Sequence, residues 1–204
     1  GYCDLNLLLI TDNNEQYIVK VANSAEPKLE LEMQNAAMVH LTKKQCAVPF
    51  AIENQHGNSI TQMIDTQNVA FCLRVLTFLP GQFYADAESC SHNNNLWADL
   101  GRFIAKIDLA LTDFQHSGAF RYLDWDLAQG YRVCMSKKHL LTEKQSCIVE
   151  KFLTLYQTQT MPALPKLPQG VIHNDANDYN LLVNNISKPE KITGLIAVPI
   201  THLN

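Results

Sequence analysis

The chain has no surplus of positive charge, no long apolar run, no C-x-x-C pair and no internal repeat, and each absence closes off a class of function. Lys and Arg number 16 against 20 Asp and Glu, a net charge of -4, which leaves nothing to neutralise a phosphate backbone and makes nucleic acid an unexpected partner. The longest apolar stretches, such as residues 7–10 and 195–200, are far shorter than the roughly 20 residues a bilayer span requires, and no charged-then-apolar leader opens the sequence. A cytoplasmic protein without a membrane partner is therefore expected. Six cysteines (Cys3, Cys46, Cys72, Cys90, Cys134, Cys147) lie far apart, the pattern of reduced, partly buried thiols rather than of a metal or redox site. What is present is a hydrophobic share of 47% in 204 residues, enough for a sizeable core in one large domain or two small lobes. The sequence opens on Gly1 rather than Met and both ends read as cut through structure, so a fragment is expected. No signal fixes the oligomeric state.

One stretch dominates the reading: Val171-Ile172-His173-Asn174-Asp175-Ala176-Asn177-Asp178-Tyr179-Asn180-Leu181-Leu182-Val183. An apolar entry and an apolar exit, each short enough for a strand, flank a loop crowded with carboxylate and amide side chains. A packed core has little use for such a loop. Phosphoryl transfer does want an Asp two residues after a His and an Asn five residues after that Asp: the Asp accepts or orients the attacking hydroxyl proton, and the Asn holds magnesium.

From the N-terminus, Leu5 to Ile10 and Tyr17 to Ala22 are strand-like and the Thr11-Asp12-Asn13-Asn14-Glu15 segment is turn chemistry, which predicts a hairpin. Lys20 in its second strand reads as a solvated lysine taken alone, and as the ammonium that holds nucleotide phosphates if a phosphate site is near. Pro27 opens a helix to about Thr42, on which Glu30 and Glu32 flank the inward face; either could reach back to Lys20. Strands are expected at residues 47–50, 60–64 and 69–78, then a lobe boundary at Leu79-Pro80-Gly81. Beyond it the period changes to 3.6. Asn93-Asn94-Asn95 caps a helix striped by Leu96, Leu100, Phe103, Ile104, Ile107 and Leu111, and Thr142-Glu143-Lys144-Gln145 is a capping box before Ile148, Val149, Phe152, Leu155 and Tyr156. Between them, Tyr122-Leu123-Asp124-Trp125-Asp126 mixes aromatics and carboxylates. It either packs the lobe or lines a pocket in which carboxylates meet an amine and Trp125 or Tyr122 offers a π-face. Residues 184–191 read as a hairpin tip and residues 192–196 as the returning strand.

Lys on an early strand, Glu on the next helix, then H-x-D-x-x-x-x-N and a hairpin resemble the protein-kinase-like fold. The likeness is closest to the aminoglycoside phosphotransferase and choline kinase superfamily, and within it to the hydroxylysine kinase-like branch. It is carried by His173-Asn174-Asp175 with Asn180, Tyr17-Ile18-Val19-Lys20, Leu31-Glu32-Met33-Gln34-Asn35, Leu76-Thr77-Phe78-Leu79-Pro80-Gly81, Tyr122-Leu123-Asp124-Trp125-Asp126-Leu127 and Ile192-Thr193-Gly194-Leu195-Ile196. The resemblance implies an α+β, two-lobed architecture: a β-rich nucleotide-binding lobe over residues 1–79, and a mainly helical lobe over residues 80–204 that carries the catalytic hairpin and lacks C-terminal helices. It implies ATP and Mg2+ as cofactors, Asp175 as catalytic base, Asn180 as a magnesium ligand, and Lys20 on the α- and β-phosphates with Glu32 as partner. The backbone of Thr77, Phe78 and Leu79 would hold the adenine edge, and His173 would support the loop. The turn at residues 1–6 would cover the phosphates, although it has few glycines. Asp124, Asp126 and Asp178 are the candidate substrate residues, for an acceptor that bears a hydroxyl and an amino group.

The sequence departs from that pattern where a metal-binding Asp should follow the returning strand: Gly194-Leu195-Ile196 runs into Ala197, which has no side-chain oxygen. Loss of such a carboxylate costs about a hundredfold to a thousandfold in rate. Residues 200–204 do not resemble the family's continuation. The leading expectation is a magnesium- and ATP-dependent phosphotransferase acting on a small amino-bearing metabolite. The alternative is a catalytically impaired kinase-like module that binds nucleotide, metabolite or a protein partner. A third reading leaves the loop as an Asn-rich turn on an unrelated α+β protein.

Overall fold

The structure is a computed structural model and describes residues 4–87, 93–197 and 200–203. β1 (Leu5–Ile10) and β2 (Gln16–Val21) form an antiparallel hairpin with Leu5 opposite Val21 and Ile10 opposite Gln16. Asn14 makes the turn possible by taking φ 61°, a left-handed conformation asparagine tolerates, while its N–H donates to the Thr11 carbonyl at 2.9 Å. Helix α1 (Lys28–Lys43) follows, with Pro27 at its N-cap. β3 (Ala51–Ile52) and β4 (Thr61–Ile64) are short, and both pair with the long strand β5 (Ala70–Thr77), β4 along its first half and β3 along its second. β5 also pairs with β2, so the antiparallel order is β1-β2-β5-β3, with β4 beside β3 on the far edge. Residues 47–50 are not the expected strand: Pro49 lacks a ladder donor, and pairing begins only at Ala51.

After Leu79-Pro80-Gly81 come β6 (Gln82–Phe83), α2 (Asn94–Leu111), α3 (Gly130–Lys137), α4 (Glu143–Leu155), β7 (Gly170–His173), β8 (Leu181–Val183), β9 (Ile192–Leu195) and β10 (Ile200–Leu203). Asn93 caps α2 by accepting from the Leu96 N–H at 3.0 Å, and Thr142 with Gln145 completes the capping box on α4. β6, β8 and β9 form a small antiparallel sheet, and β10 lies antiparallel to β7. The terminal segment thus runs back along the strand that leads into the 174–180 loop.

Apolar burial ignores the boundary at residues 79 and 80. One cluster joins Met33 and Leu41 of α1, Leu76 of β5, Leu96, Ile107 and Leu111 of α2, and Val171, Leu181, Val183 and Leu195 of the small strands. The α2 stripe faces inward as its period predicts, with Leu100, Phe103 and Ile104 partly buried against that cluster. The α4 stripe does not: Leu153 is the buried residue of that helix, while Ile148, Phe152 and Leu155 are exposed, because no described element covers that face. The four described cysteines outside residues 1–3 and 88–92 are free thiols, Cys46 among them buried and therefore with its pKa raised. Cys3 and Cys90 lie outside the described residues. No helix among the described residues is long and apolar enough to cross a membrane.

The chain after α2 approaches α1 closely at Gly118, where an added Cβ would lie 2.8 Å from the Leu29 carbonyl oxygen and 2.9 Å from Met33 Cβ. Backbone cannot retreat as a side chain can. Gly118→Ala should lower stability by about 1–3 kcal/mol, the usual cost of forcing atoms into a packed contact. Chemical denaturation checks this, and a wild-type midpoint would show that the contact relaxes freely.

Candidate active site

The loop between β7 and β8 is built around Asp175. Asn177 Nδ2 donates to its Oδ1 at 2.7 Å, and Asn180 Nδ2 donates to its Oδ2 at 2.9 Å and to its carbonyl at 2.8 Å. Both carboxylate oxygens are thus fixed by amide donors, each keeping lone-pair capacity for a further proton or donor. The Asn177 amide cannot turn over without loss, since its Oδ1 accepts from the Tyr179 N–H at 3.0 Å. The Asn180 Oδ1 accepts no hydrogen bond among the described residues, and its main-chain carbonyl receives the Ile196 N–H at 2.9 Å. The strand after the hairpin is thereby drawn against Asn180, which brings position 197 to the same place.

His173 supports this arrangement. Its Nδ1 accepts from the Asp175 N–H at 3.4 Å, which leaves Nε2–H to donate to the Ala197 carbonyl at 2.5 Å. The ring is buried, and that burial pushes its pKa below the ordinary histidine value despite opposing help from the Ala197 carbonyl and from the Asp175 and Asp108 charges. Asp108 of α2, on the other side, has its carboxyl raised by burial.

An apolar cavity of about 160 Å³ lies between the large sheet and this hairpin, walled by Ile18, Leu76, Thr77, Phe78, Leu79, Leu182 and Ile196. No turn or side-chain hydrogen bond among the described residues uses the main chain of Phe78 or Leu79, so polar backbone edges border an apolar slot. Ile18 stands opposite Leu76 in the β2–β5 register, and Lys20 opposite Arg74. Two residues along each strand return to the same face, so the Lys20–Arg74 pair continues the cavity's face about 7 Å further on.

Lys20 does not meet a helix glutamate. Glu32 pairs with Lys28 at 3.2 Å on the half-exposed side of α1, and Glu30 pairs with Arg121 beyond α2. Both expectations for Lys20 fail for one reason: the buried α1 positions are Leu31, Met33, Asn35, Ala37, Met38 and Leu41, which include neither glutamate, and it is Asn35 that reaches the sheet. The carboxylate beside Lys20 is Asp4, at 3.7 Å. Burial first, and Arg74 second, lower the Lys20 pKa against the opposing pull of Asp4 and Glu26. Of the turn expected to cover the phosphates, residues 1–3 lie outside the described residues and Leu5 and Asn6 already belong to β1.

The substrate candidates separate. Asp126 is buried and caps a short turn by accepting from the Ala128 N–H at 2.9 Å, a structural task that corrects its expected role. Asp124 is exposed and hydrogen-bonds with the Tyr122 hydroxyl, while Arg132 stands 4.9 Å over the Tyr122 ring, so the chain's own cation covers that π-face. Asp178 is exposed, and its carbonyl receives the Ala85 N–H at 3.0 Å. The sequence reading missed Arg74 and Asn177. The signal for Arg74 was a lone cation inside the apolar run from Val69 to Phe78.

Magnesium takes one or two protein oxygens alongside substrate phosphates and waters, and among the side-chain oxygens this loop could lend it are those of Asn180 and Asp175. Asn180 contributes an amide oxygen and Asp175 a carboxylate, Ala197 has only a carbonyl already bonded to His173, and no group of three or more His, Cys, Asp or Glu among the described residues could hold a metal.

A histidine whose folded pKa lies below its unfolded value of about 6.5 leaves the unfolded state with more bound protons, so stability rises with pH through that range. The contribution is present above about pH 6.5 and is lost as pH falls toward the depressed folded value. His173→Gln should flatten unfolding free energy against pH below about 6.5, and an unchanged slope would exclude a buried neutral His173.

Comparison with known proteins shows what the chain is similar to. The chain is 28% identical over 214 residues to a hydroxylysine kinase of Danio rerio, covering 96% of this chain and 57% of that one. It is 25% identical over 195 residues to a hydroxylysine kinase of Bos taurus, covering 89% and 50%. The chain thus spans about half the length of these curated relatives. Among solved structures, an amicoumacin kinase in complex with AMP-PNP and Ca2+ superposes with a TM-score of 0.70 at 15% identity, over 99% of this chain and 58% of that one. A microcompartment-associated aminopropanol kinase gives 0.70 at 17% identity, over 98% and 65%. These likenesses establish the α+β protein-kinase-like fold, and with residues 1–196 matching its family model the chain belongs to the phosphotransferase enzyme family.

Proposed function

We propose that the chain is the nucleotide-binding and catalytic-loop portion of an ATP- and magnesium-dependent phosphotransferase that acts on the hydroxyl of a small, amino-bearing metabolite, with a hydroxylated amino acid as the first candidate. The observation that carries this reading is the fixed Asp175 carboxylate, held by Asn177 and Asn180 on the hairpin whose flanking residues Leu182 and Ile196 also wall the apolar cavity. In this reading residues 1–79 bind the nucleotide and residues 80–204 carry the acceptor side. The backbone of Thr77, Phe78 and Leu79 takes the adenine edge, and Lys20 offsets charge on the phosphates. Asp175 orients the acceptor hydroxyl and receives its proton as the hydroxyl oxygen bonds to the γ-phosphorus and ADP leaves. Asn180 would hold magnesium through its Oδ1, and the ion would supply charge neutralisation at the phosphates. Asp178 and Asp124 are the exposed carboxylates available to a substrate ammonium. Recognition of a hydroxylated amino acid follows the names of the curated relatives.

Ala197 supports a second reading, a kinase-like module that binds nucleotide or metabolite without efficient transfer. The residue occupies the sequence position at which the family resemblance expects a second metal-binding carboxylate, while Lys20, Asp175 and Asn180 remain.

A thermal-shift titration with ATP, with and without magnesium, separates the readings. A phosphotransferase gives a shift that magnesium enlarges; a binding module gives a metal-independent shift; no shift with ATP would sink both. Ala197→Asp should raise magnesium-dependent transfer from ATP to hydroxylysine by about a hundredfold to a thousandfold, the usual range for one preorganised charge-stabilising group. Equal rates for the two proteins would show that position 197 does not limit the chemistry.

A further inference from the structure

Arg74 is buried to 2% exposure at the centre of β5, opposite a second, partly buried cation, Lys20. A guanidinium so placed is costly unless it does something that a neutral residue could not. Its Nη1 donates to Asn35 Oδ1 at 3.1 Å, its Nε–H has no partner among the described residues, and no carboxylate lies within ion-pair distance there. The acceptor is itself fixed, because Asn35 Nδ2 donates to Ser59 Oγ at 3.0 Å and thereby turns its oxygen toward Arg74. The chain Arg74–Asn35–Ser59 ties the centre of the sheet to α1 and to the segment before β4.

We infer that Arg74 is the positioning residue for Lys20, holding α1 to the sheet through Asn35 and repelling the lysine ammonium from the space the guanidinium occupies. The inference rests on the nucleotide reading of Lys20 given above. Phosphate-binding lysines of kinase-like sites are commonly held by attraction to a helix glutamate. Here that attraction is missing, since Glu32 is spent on Lys28 and Glu30 on Arg121. Repulsion supplies the direction instead. Lys20 and Arg74 are directly opposed across the strand pair, so their side chains rise from the same face and two like charges in a half-dry setting separate as far as their stems allow. The helix-facing space belongs to the guanidinium, fastened to Asn35. The ammonium instead meets Asp4 at 3.7 Å, a long ion pair that an incoming phosphate can replace. Arg74 thus acts on the nucleotide through Lys20 and not by contact.

A double-mutant cycle tests this with ATP and adenosine as probes, their binding to the chain measured by calorimetry. Arg74→Met should weaken ATP by about tenfold, the loss expected for one misplaced charge contact, and leave adenosine unchanged. In a Lys20→Met background the same change should cost ATP nothing more. Asn35→Asp, which keeps the acceptor for Arg74, should retain the preference for ATP over adenosine, and Asn35→Leu should lose it. Additive losses in the cycle would make Arg74 a direct phosphate ligand and overturn the positioning role. Equal weakening of ATP and adenosine would reduce it to a structural arginine. If Arg74→Met does not fold, Asn35→Leu runs through the same cycle with Lys20→Met. A wild-type chain that binds ATP no better than adenosine overturns the nucleotide reading of Lys20 and this inference with it, whereas an ATP preference retained in Arg74→Met overturns the inference alone.

Discussion

Two cations facing one another across β2 and β5 impose the constraint on which the cleft depends. Burial of like charges in the middle of a sheet is tolerated only where neighbouring groups compensate each one, and the compensation here is unequal. Arg74 receives a neutral amide oxygen, held in place by Ser59, and Lys20 receives a distant carboxylate. The inequality gives the face a polarity. On the β5 side the guanidinium is fastened to α1, on the β2 side the ammonium has weak ties, and Ile18 and Leu76 continue the same face into an apolar slot. A ligand with an apolar plane at one end and concentrated negative charge at the other matches that sequence of environments.

How much of this could be read before the fold was known follows from how local each feature is. Asp175, Asn177 and Asn180 belong to one loop, so a spacing of five residues already determines that Asp and Asn can meet. The hairpin at Thr11 and Asn14 and the cap at Asn93 are likewise written in adjacent residues. Lys20 was legible as a residue but its partner was not. That depended on the rotational phase of α1, which put Asn35 and not Glu32 toward the sheet, and on the β2–β5 register, which brought Arg74 to Lys20. Asp126 shows the converse: a carboxylate in an aromatic loop reads equally as a ligand or a cap, and only its burial and its bond to the Ala128 N–H decide. The α4 stripe had the right period and no element to pack on, because periodicity reports an apolar face and not its occupant.

The hairpin also separates scaffold from chemistry. Residue 197 serves the scaffold through its main chain, accepting from His173, and that service is indifferent to the side chain. The loop can therefore keep its shape while losing a carboxylate. This is why an intact Asp175–Asn180 clasp and an alanine at 197 coexist without distortion.

Helix α1 is held from two sides: to the sheet by Asn35 and Arg74, and to the segment after α2 by the Glu30–Arg121 pair and by its close contact at Gly118. A hinge at Pro80 and Gly81 alone would suggest two halves that swing apart around an empty slot. With α1 bolted to both, any such swing has to break one of those fastenings first.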